Sequence, residues 1–288
     1  VNALIEQGLD PDEIRSIVRT ALAEDLRYGP DVTTTATVPA EARATATVVS
    51  RQAGTVAGID VGLLVLDEVL GVDGYTVEDR VVDGTEVVPG QSVLTVTAPT
   101  RGLLTAERTM LNLVCHLSGI ATATAAWVDQ VADTDAKIRD SRKTLPGLRT
   151  LQKYAVRAGG GVNHRMGLGD AALIKDNHVA AAGSVVAALQ AVRDAAPDIE
   201  CEVEVDSLEQ LDQVLAENVE LVLLDNFALW QTQMAVQRRA ALSPQTKLES
   251  SGGLTIDVAR DYAKTGVDFL AVGGLTHSVT VLDLGLDM

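Results

Sequence analysis

The sequence predicts an α/β protein whose second half is a parallel barrel, and three observations carry that reading. From residue 137 onward, short apolar runs at 137–140, 172–174, 201–205, 221–224, 247–249 and 269–272 alternate with helical stretches at 148–158, 184–196, 207–217, 228–241 and 256–264. Val, Ala and Leu fill the apolar positions while aromatics make up only 3% of the chain, which suits parallel strands covered by Ala-rich helices. Polar constellations close four of the strands: Lys175-Asp176-Asn177-His178, Glu202/Glu204/Asp206, Asp225-Asn226 and Ser251-Gly252-Gly253. An open doubly wound sheet would gather its site at one switch point, usually with a Gly-x-Gly-x-x-Gly turn after a strand. Gly159-Gly160-Gly161 comes after a helix and is not that turn. A barrel builds its site from several strand ends, so the barrel is favoured, although six strands fall short of the usual eight.

The first half reads differently. Asp10-Pro11-Asp12-Glu13 caps a helix running to about residue 25, with Ile14, Ile17, Val18, Ala21 and Leu22 at helical spacing. Gly29-Pro30-Asp31 breaks it, and Thr33-Thr34-Thr35 is expected to lead into extended structure. Residues 42–98 carry mostly strand signals, such as the alternation around Thr45, Thr47 and Val49 and the β-branched run 92–97, with a helix at 61–70. The Val, Gly and Pro turns here are similar to those of biotinyl or lipoyl carrier domains, but a carrier needs a lysine and none precedes Lys137. An α/β or barrel-like domain to about residue 115 is the better reading, and a helix at 105–128 is a plausible link to the second half.

Composition bounds the function. With 288 residues, 47% of them hydrophobic, the chain can bury a sizeable core. A net charge of −17 and a pI near 4.5 argue against nucleic acid as the partner, since phosphate backbones demand an excess of Lys and Arg. Cys115 and Cys201 lack metal-ligand spacing and read as reduced thiols. No apolar run approaches the ~18 residues of a membrane span and no basic leader opens the chain, so a soluble, cytoplasmic protein is expected.

Against this acidic background, residues 137–178 hold nine Lys or Arg and three Asp, a local charge of +6. Arg149, Lys153 and Arg157 recur at i, i+4, i+8 and fit a solvated helix face. Arg142, Lys143, His164, Arg165 and Lys175 instead sit where apolar runs give way to polar loops, where binding groups concentrate. Arg grips carboxylates and phosphates at two points, while Lys acts as a point charge. Glu204 and Asp225 end apolar strands, and the i, i+2 spacing of Glu202 and Glu204 turns both to one face, inward. The alternative for these two glutamates is neutralisation of Lys and Arg within the barrel. Ser251-Gly252-Gly253 and Gly273-Gly274 stand after the last two strands, where glycine lets backbone N–H groups approach a phosphate. The residues therefore describe a small, multiply anionic substrate that carries a phosphate, with two carboxylates available for hydroxyls or a metal.

Arg142-Lys143-Thr144, Pro146-Gly147-Leu148-Arg149, Lys153-Tyr154-Ala155-Val156, Gly159-Gly160-Gly161, Asn163-His164-Arg165 and Lys175-Asp176-Asn177-His178 together resemble the quinolinate phosphoribosyltransferase family of NAD biosynthesis. Ala23-Glu24-Asp25-Leu26, Glu107-Arg108 with Asn112, and the run His116 to Thr122 extend the resemblance over essentially the whole chain. Pro30 departs from it by separating a Gly and an Asp that are usually adjacent. The resemblance implies an N-terminal α/β sandwich domain (residues 1–115, with the tail 278–288 packing back on it) and a C-terminal open, incomplete α/β barrel (116–277). It implies transfer of phosphoribosyl from phosphoribosyl pyrophosphate to quinolinate with decarboxylation, aided by Mg2+, in a homodimer with shared active sites or a higher oligomer built from it. By position, Arg108 of the partner, Arg142, His164 and Arg165 would hold the quinolinate carboxylates, and Lys143 and Lys175 the pyrophosphate. Glu204 and Asp225 would bind ribose hydroxyls, directly or through the metal; Ser251, Gly252, Gly253, Gly273, Gly274 and His277 would take the 5-phosphate, and Arg51 would reach the neighbouring site's pyrophosphate. Two rival readings stand beside this one: a Schiff-base barrel lyase using Lys143 or Lys175, and a non-catalytic barrel that binds phosphometabolites.

Overall fold

The computed structural model of the chain describes residues 2–288. It opens with helices α1 (Asn2–Glu6) and α2 (Pro11–Asp25). Asp10 caps α2 by accepting the Asp12 N–H, and Ile14, Val18 and Leu22 turn inward. Helix α3 (Val32–Thr37) stands where the threonine run predicts the start of extended structure. Asp31 accepts the Thr34 N–H at 2.9 Å, and the Thr35 and Thr37 hydroxyls bond back to carbonyls four residues earlier, so local capping outweighs the β-propensity of threonine. Next come β1 (Arg43–Ser50), β2 (Gly54–Thr55), α4 (Ile59–Leu70), β3 (Thr76–Arg80), β4 (Glu86–Val87) and β5 (Ser92–Pro99). The next helix, α5 (Thr100–Val131), is long and apolar enough to cross a membrane by length and composition alone, contrary to the expectation from apolar runs; half of that apolar window is buried inside the protein.

The βα series then runs β6 (Lys137–Arg139), α6 (Arg149–Ala158), β7 (Ala172–Ile174), α7 (Asp176–Ala182), α8 (Val185–Ala195), β8 (Cys201–Val205), α9 (Leu208–Ala216), β9 (Leu221–Asp225), α10 (Leu229–Leu242), β10 (Lys247–Ser251), α11 (Ala259–Ala263), β11 (Phe269–Ala271) and α12 (Gly274–His277). Strand β12 (Leu284–Asp287) closes the chain. Helix α7 is not among the helices that periodicity predicts. It is set by His178, whose Nδ1 accepts the Lys175 N–H at 2.9 Å, a cap that helical spacing does not reveal.

By compactness the chain divides into two units: residues up to Ala125 with Thr144–Gly160 and Leu275–Met288, and Ala126–Lys143 with Gly161–Gly274. The 115/116 boundary expected from the sequence falls inside α5, and α6 belongs to the first unit. Side-chain contacts hold α6 there, the Thr150 hydroxyl donating to Glu13 at 2.6 Å among them. The Tyr154 hydroxyl bonds Asp83, the Gln152 amide meets His116 Nε2 at 2.8 Å, and Arg157 donates to the Gln7 carbonyl at 2.7 Å. Lys153 is fully buried, so the face of α6 that carries it is not the solvated one expected.

In the first unit an antiparallel sheet runs β12-β1-β5-β3. Ala46, Val48, Val96 and Ala98 are buried, while Thr45 pairs with Thr97 and Thr47 with Thr95 through their hydroxyls at 2.8 and 3.2 Å. Helix α2 packs on α4, giving the α/β sandwich. In the second unit a six-stranded parallel sheet runs β6-β11-β10-β9-β8-β7, with β6 and β7 as its edges. This is an open α/β barrel. The C-terminal ends of the six strands face one way, as parallel pairing requires, and there the polar residues collect.

Candidate active site

An open cavity of about 600 Å³ lies at these strand ends. It is lined by Arg142 and Lys143 after β6, His164 and Arg165 after the short bridge at Val162, Lys175 after β7, Glu204 on β8 and Asp225 on β9. Ser251, Gly252 and Gly253 come from the end of β10, and Gly273 from beyond β11. Eleven residues nominated from the sequence thus share one cavity within one unit. Gly274 adjoins it in the chain as the first residue of α12. Arg51, Arg108 and His277 belong to the other unit. There Arg51 is paired with Asp287 at 2.5 Å, and the exposed His277 bonds Ser278 through Nδ1.

The cationic side is built on a buried scaffold. Asp140, fully buried at the end of β6, accepts the His164 N–H at 2.7 Å and the Asn163 side-chain amide. His164 Nδ1 then accepts the Arg165 N–H at 2.7 Å, so the ring proton lies on Nε2, which donates to Glu202 at 2.7 Å. Both ring nitrogens are therefore engaged within the protein. Arg165 donates from one terminal nitrogen to the Ala171 carbonyl at 2.9 Å, and its Nε is buried with no partner, as is the Nε of Arg142. Burial and the neighbouring Arg142 charge both lower the pKa of Arg165. Two adjacent guanidiniums with buried, unused N–H donors form a site that wants a dianion.

Beneath them lies a group that the sequence does not single out. Glu249, fully buried on β10, takes the Arg139 guanidinium at 2.8 Å, and that guanidinium also lies over the Phe269 ring at 4.6 Å. Its signal is present in the sequence: Glu249 and Ser251 share a strand face by the same i, i+2 spacing that singles out Glu202 and Glu204. Burial pushes both Glu202 and Glu249 up to about 7. Glu202 meets His164 rather than a Lys or Arg, and its other carboxylate oxygen is buried without a partner. Because the folded-state pKa of Glu249 exceeds its ordinary 4.5, the folded chain holds a proton between pH 4.5 and 7 that the unfolded chain does not. Its stabilising contribution is complete below about 4.5 and is lost as pH rises through 7. Stability measured by denaturant unfolding should therefore fall from pH 5 to 8 less steeply in Glu249→Gln than in the parent protein; equal slopes would contradict this.

His164, Glu202 and Glu249 lie close enough to form a metal-binding group, all three buried. They do not suit Mg2+, which demands oxygen donors and retains water, and Arg139 already occupies Glu249. Glu204 and Asp225 do suit it: two carboxylates, neither wholly buried, both on the open cavity. Glu204 is paired with Lys175 at 2.5 Å. Neither Lys143 nor Lys175 is buried, which removes the desolvation that would make either an effective Schiff-base amine. At the glycine-rich strand end, Gly252 has φ +91 and Gly253 φ +62, and a methyl group at 252 would collide with Asn226 Oδ1. Gly273 lies beside Lys143, where a Cβ would stand 3.0 Å from the lysine Cδ.

The same architecture occurs in known proteins. Profiles of the quinolinate phosphoribosyl transferase N-terminal and C-terminal domains match residues 31–118 and 120–287. The chain is 69% identical over 277 residues to the nicotinate-nucleotide pyrophosphorylase [carboxylating] of Mycobacterium leprae, covering 96% of this chain and 98% of that one. It is 43% identical over 208 residues to the probable enzyme of that name from Bacillus subtilis, covering 72% and 71%. The crystal structure of NadC from Streptococcus pyogenes superposes with a TM-score of 0.92 at 36% identity over 97% of each chain. The chain belongs to the quinolinate phosphoribosyltransferase family.

Proposed function

We propose that this chain transfers the phosphoribosyl group of phosphoribosyl pyrophosphate to the ring nitrogen of quinolinate. The 2-carboxylate leaves as carbon dioxide, and the products are nicotinate mononucleotide and pyrophosphate, a step of NAD biosynthesis. The observation that carries the reading is the adjacent Arg142 and Arg165, each with a buried, unpartnered Nε, facing the same cavity as two strand-end carboxylates and a glycine-rich strand end.

In this reading Arg142 and Arg165 grip the two quinolinate carboxylates, and His164 fixes the Arg165 backbone through its Nδ1 contact. Ser251, Gly252, Gly253, Gly273 and Gly274 receive the 5-phosphate on backbone N–H groups. Displacement of pyrophosphate builds positive charge on the ribose and negative charge on the leaving group. Glu204 and Asp225 stabilise the first while holding the ribose hydroxyls, and Lys143 and Lys175 stabilise the second. Arrival of the pyrophosphate gives Lys175 a second anion to share with Glu204. Mg2+, held by Glu204 and Asp225 directly or through substrate and water, would neutralise pyrophosphate charge when bound. Once ribosylated, the pyridine nitrogen is cationic and stabilises the adjacent carbanion left by decarboxylation, which takes a proton from water at that carbon, so no protein nucleophile is needed. The active unit is a homodimer in which Arg108 of one protomer completes the other's carboxylate clamp, with Arg51 reaching the neighbouring pyrophosphate. Release of labelled carbon dioxide from quinolinate, strictly dependent on phosphoribosyl pyrophosphate, tests the reading; release with quinolinate alone, or none at all, would oppose it.

A further inference from the structure

Among the described residues, two other than glycine adopt a left-handed backbone, Asn218 and Asn226, at φ +51 and +54. Asn218 lies just past the end of α9, and its Oδ1 accepts from Ser243 and Gln245, a loop brace remote from any strand end of the site. Asn226 is placed differently. It succeeds Asp225 at the end of β9, it lines the cavity, and its N–H donates to the Ser251 carbonyl at 2.9 Å, prolonging the β9–β10 ladder by one bond. Its side-chain amide donates to Asp225 Oδ2 at 3.0 Å. That assigns the other end of the amide, Oδ1, to the side facing Gly252, where a Cβ would collide with it.

One side chain therefore touches both pieces of the phosphoribosyl machinery. The donor end fixes one oxygen of the Asp225 carboxylate and leaves the other for a ligand. The acceptor end occupies the space that forces residue 252 to be glycine, and so shapes the turn after Ser251. Asparagine is among the few side chains that tolerate the left-handed region while still offering a hydrogen-bond donor one residue back along the chain. Glycine would keep the backbone and lose the donor. Aspartate would keep shape and backbone and set a second negative charge against Asp225.

We infer that Asn226 is a positioning residue for phosphoribosyl pyrophosphate, orienting Asp225 toward the ribose and setting the Gly252 turn for the phosphate, with no part in holding quinolinate. The inference rests on the proposed function. It is tested by calorimetry on the Asn226→Gly and Asn226→Asp proteins, titrated separately with phosphoribosyl pyrophosphate in the presence of Mg2+ and with quinolinate, beside thermal unfolding. Asn226→Gly is expected to weaken phosphoribosyl pyrophosphate binding about tenfold, the scale of one hydrogen bond to a charged group. Asn226→Asp should weaken it further, with quinolinate binding within about twofold of the parent in both and folding intact in Asn226→Gly. A merely structural asparagine would be replaced by glycine without loss of affinity, and parent-like binding in both variants would overturn the inference. Equal weakening of both ligands would overturn it as well, since it would mean general damage to the barrel mouth. Failure of the parent protein itself to bind phosphoribosyl pyrophosphate would defeat the proposed function and this inference with it, whereas parent binding with parent-like variants defeats only the inference.

Discussion

Arg165→Ala is expected to weaken quinolinate binding by about two orders of magnitude while leaving phosphoribosyl pyrophosphate binding within roughly threefold. The magnitude reflects the loss of two charge-assisted hydrogen bonds of about 1.5–3 kcal/mol each, the lower end of which already gives that factor. The selectivity comes from position: Arg165 shares its surroundings with Arg142 and His164, while the glycine turns and Asp225 lie on other strands. Arg142→Ala should act in the same direction. Arg165→Ala should not destabilise the free protein, because burial and the Arg142 charge disfavour its guanidinium until an anion arrives. Calorimetry on each ligand separately, with thermal unfolding of each variant, provides the check. Equal losses for the two ligands would contradict the assignment of this pair to quinolinate.

Recovery of activity on mixing two dead proteins is the second large effect expected. Arg108 is exposed on α5, and the positions three and four residues away are Leu104, Thr105, Leu111 and Asn112, so no intrahelical acid holds it. If Arg108 serves the partner's site, dimers of Arg108→Ala exchanged with dimers of Lys143→Ala yield mixed dimers with both defects in one site and neither in the other. Half of the dimers are mixed and one site in each works, so activity should return to about one quarter of the parent level. If Arg108 acts within its own protomer, every site keeps a defect and nothing returns, given exchange demonstrated by an independent label.

The strand ends are legible in the sequence because parallel βα repeats leave a simple mark: an apolar run that stops at a polar residue. Lys175, Glu204, Asp225 and Ser251 all stand out that way, and all line the cavity. What the sequence hides is local hydrogen bonding. Asp31 turns a threonine run into α3, and the His178 ring caps α7, because capping acts through side-chain geometry that periodicity does not encode. Lys153 fits a solvated stripe by spacing alone, yet it is buried, since the stripe carries no information about which face of a helix meets neighbouring elements. Glu249 escapes notice for a related reason. A charged residue in the middle of a short strand is conspicuous only when its partner, Arg139 on β6, is known to lie two strands away in the same sheet. Asn226 is visible in the sequence only as a neighbour of Asp225; its left-handed backbone and its contact with Gly252 belong to the folded chain.

The most direct measurement is the fate of each quinolinate carboxylate, traced with label at one position at a time. With phosphoribosyl pyrophosphate and Mg2+ present, label in the 2-carboxylate should appear wholly as carbon dioxide, in equal amount to the pyrophosphate formed, and label in the 3-carboxylate should remain wholly in nicotinate mononucleotide. Carbon dioxide released without pyrophosphate, or pyrophosphate released with both labels retained, would contradict the account.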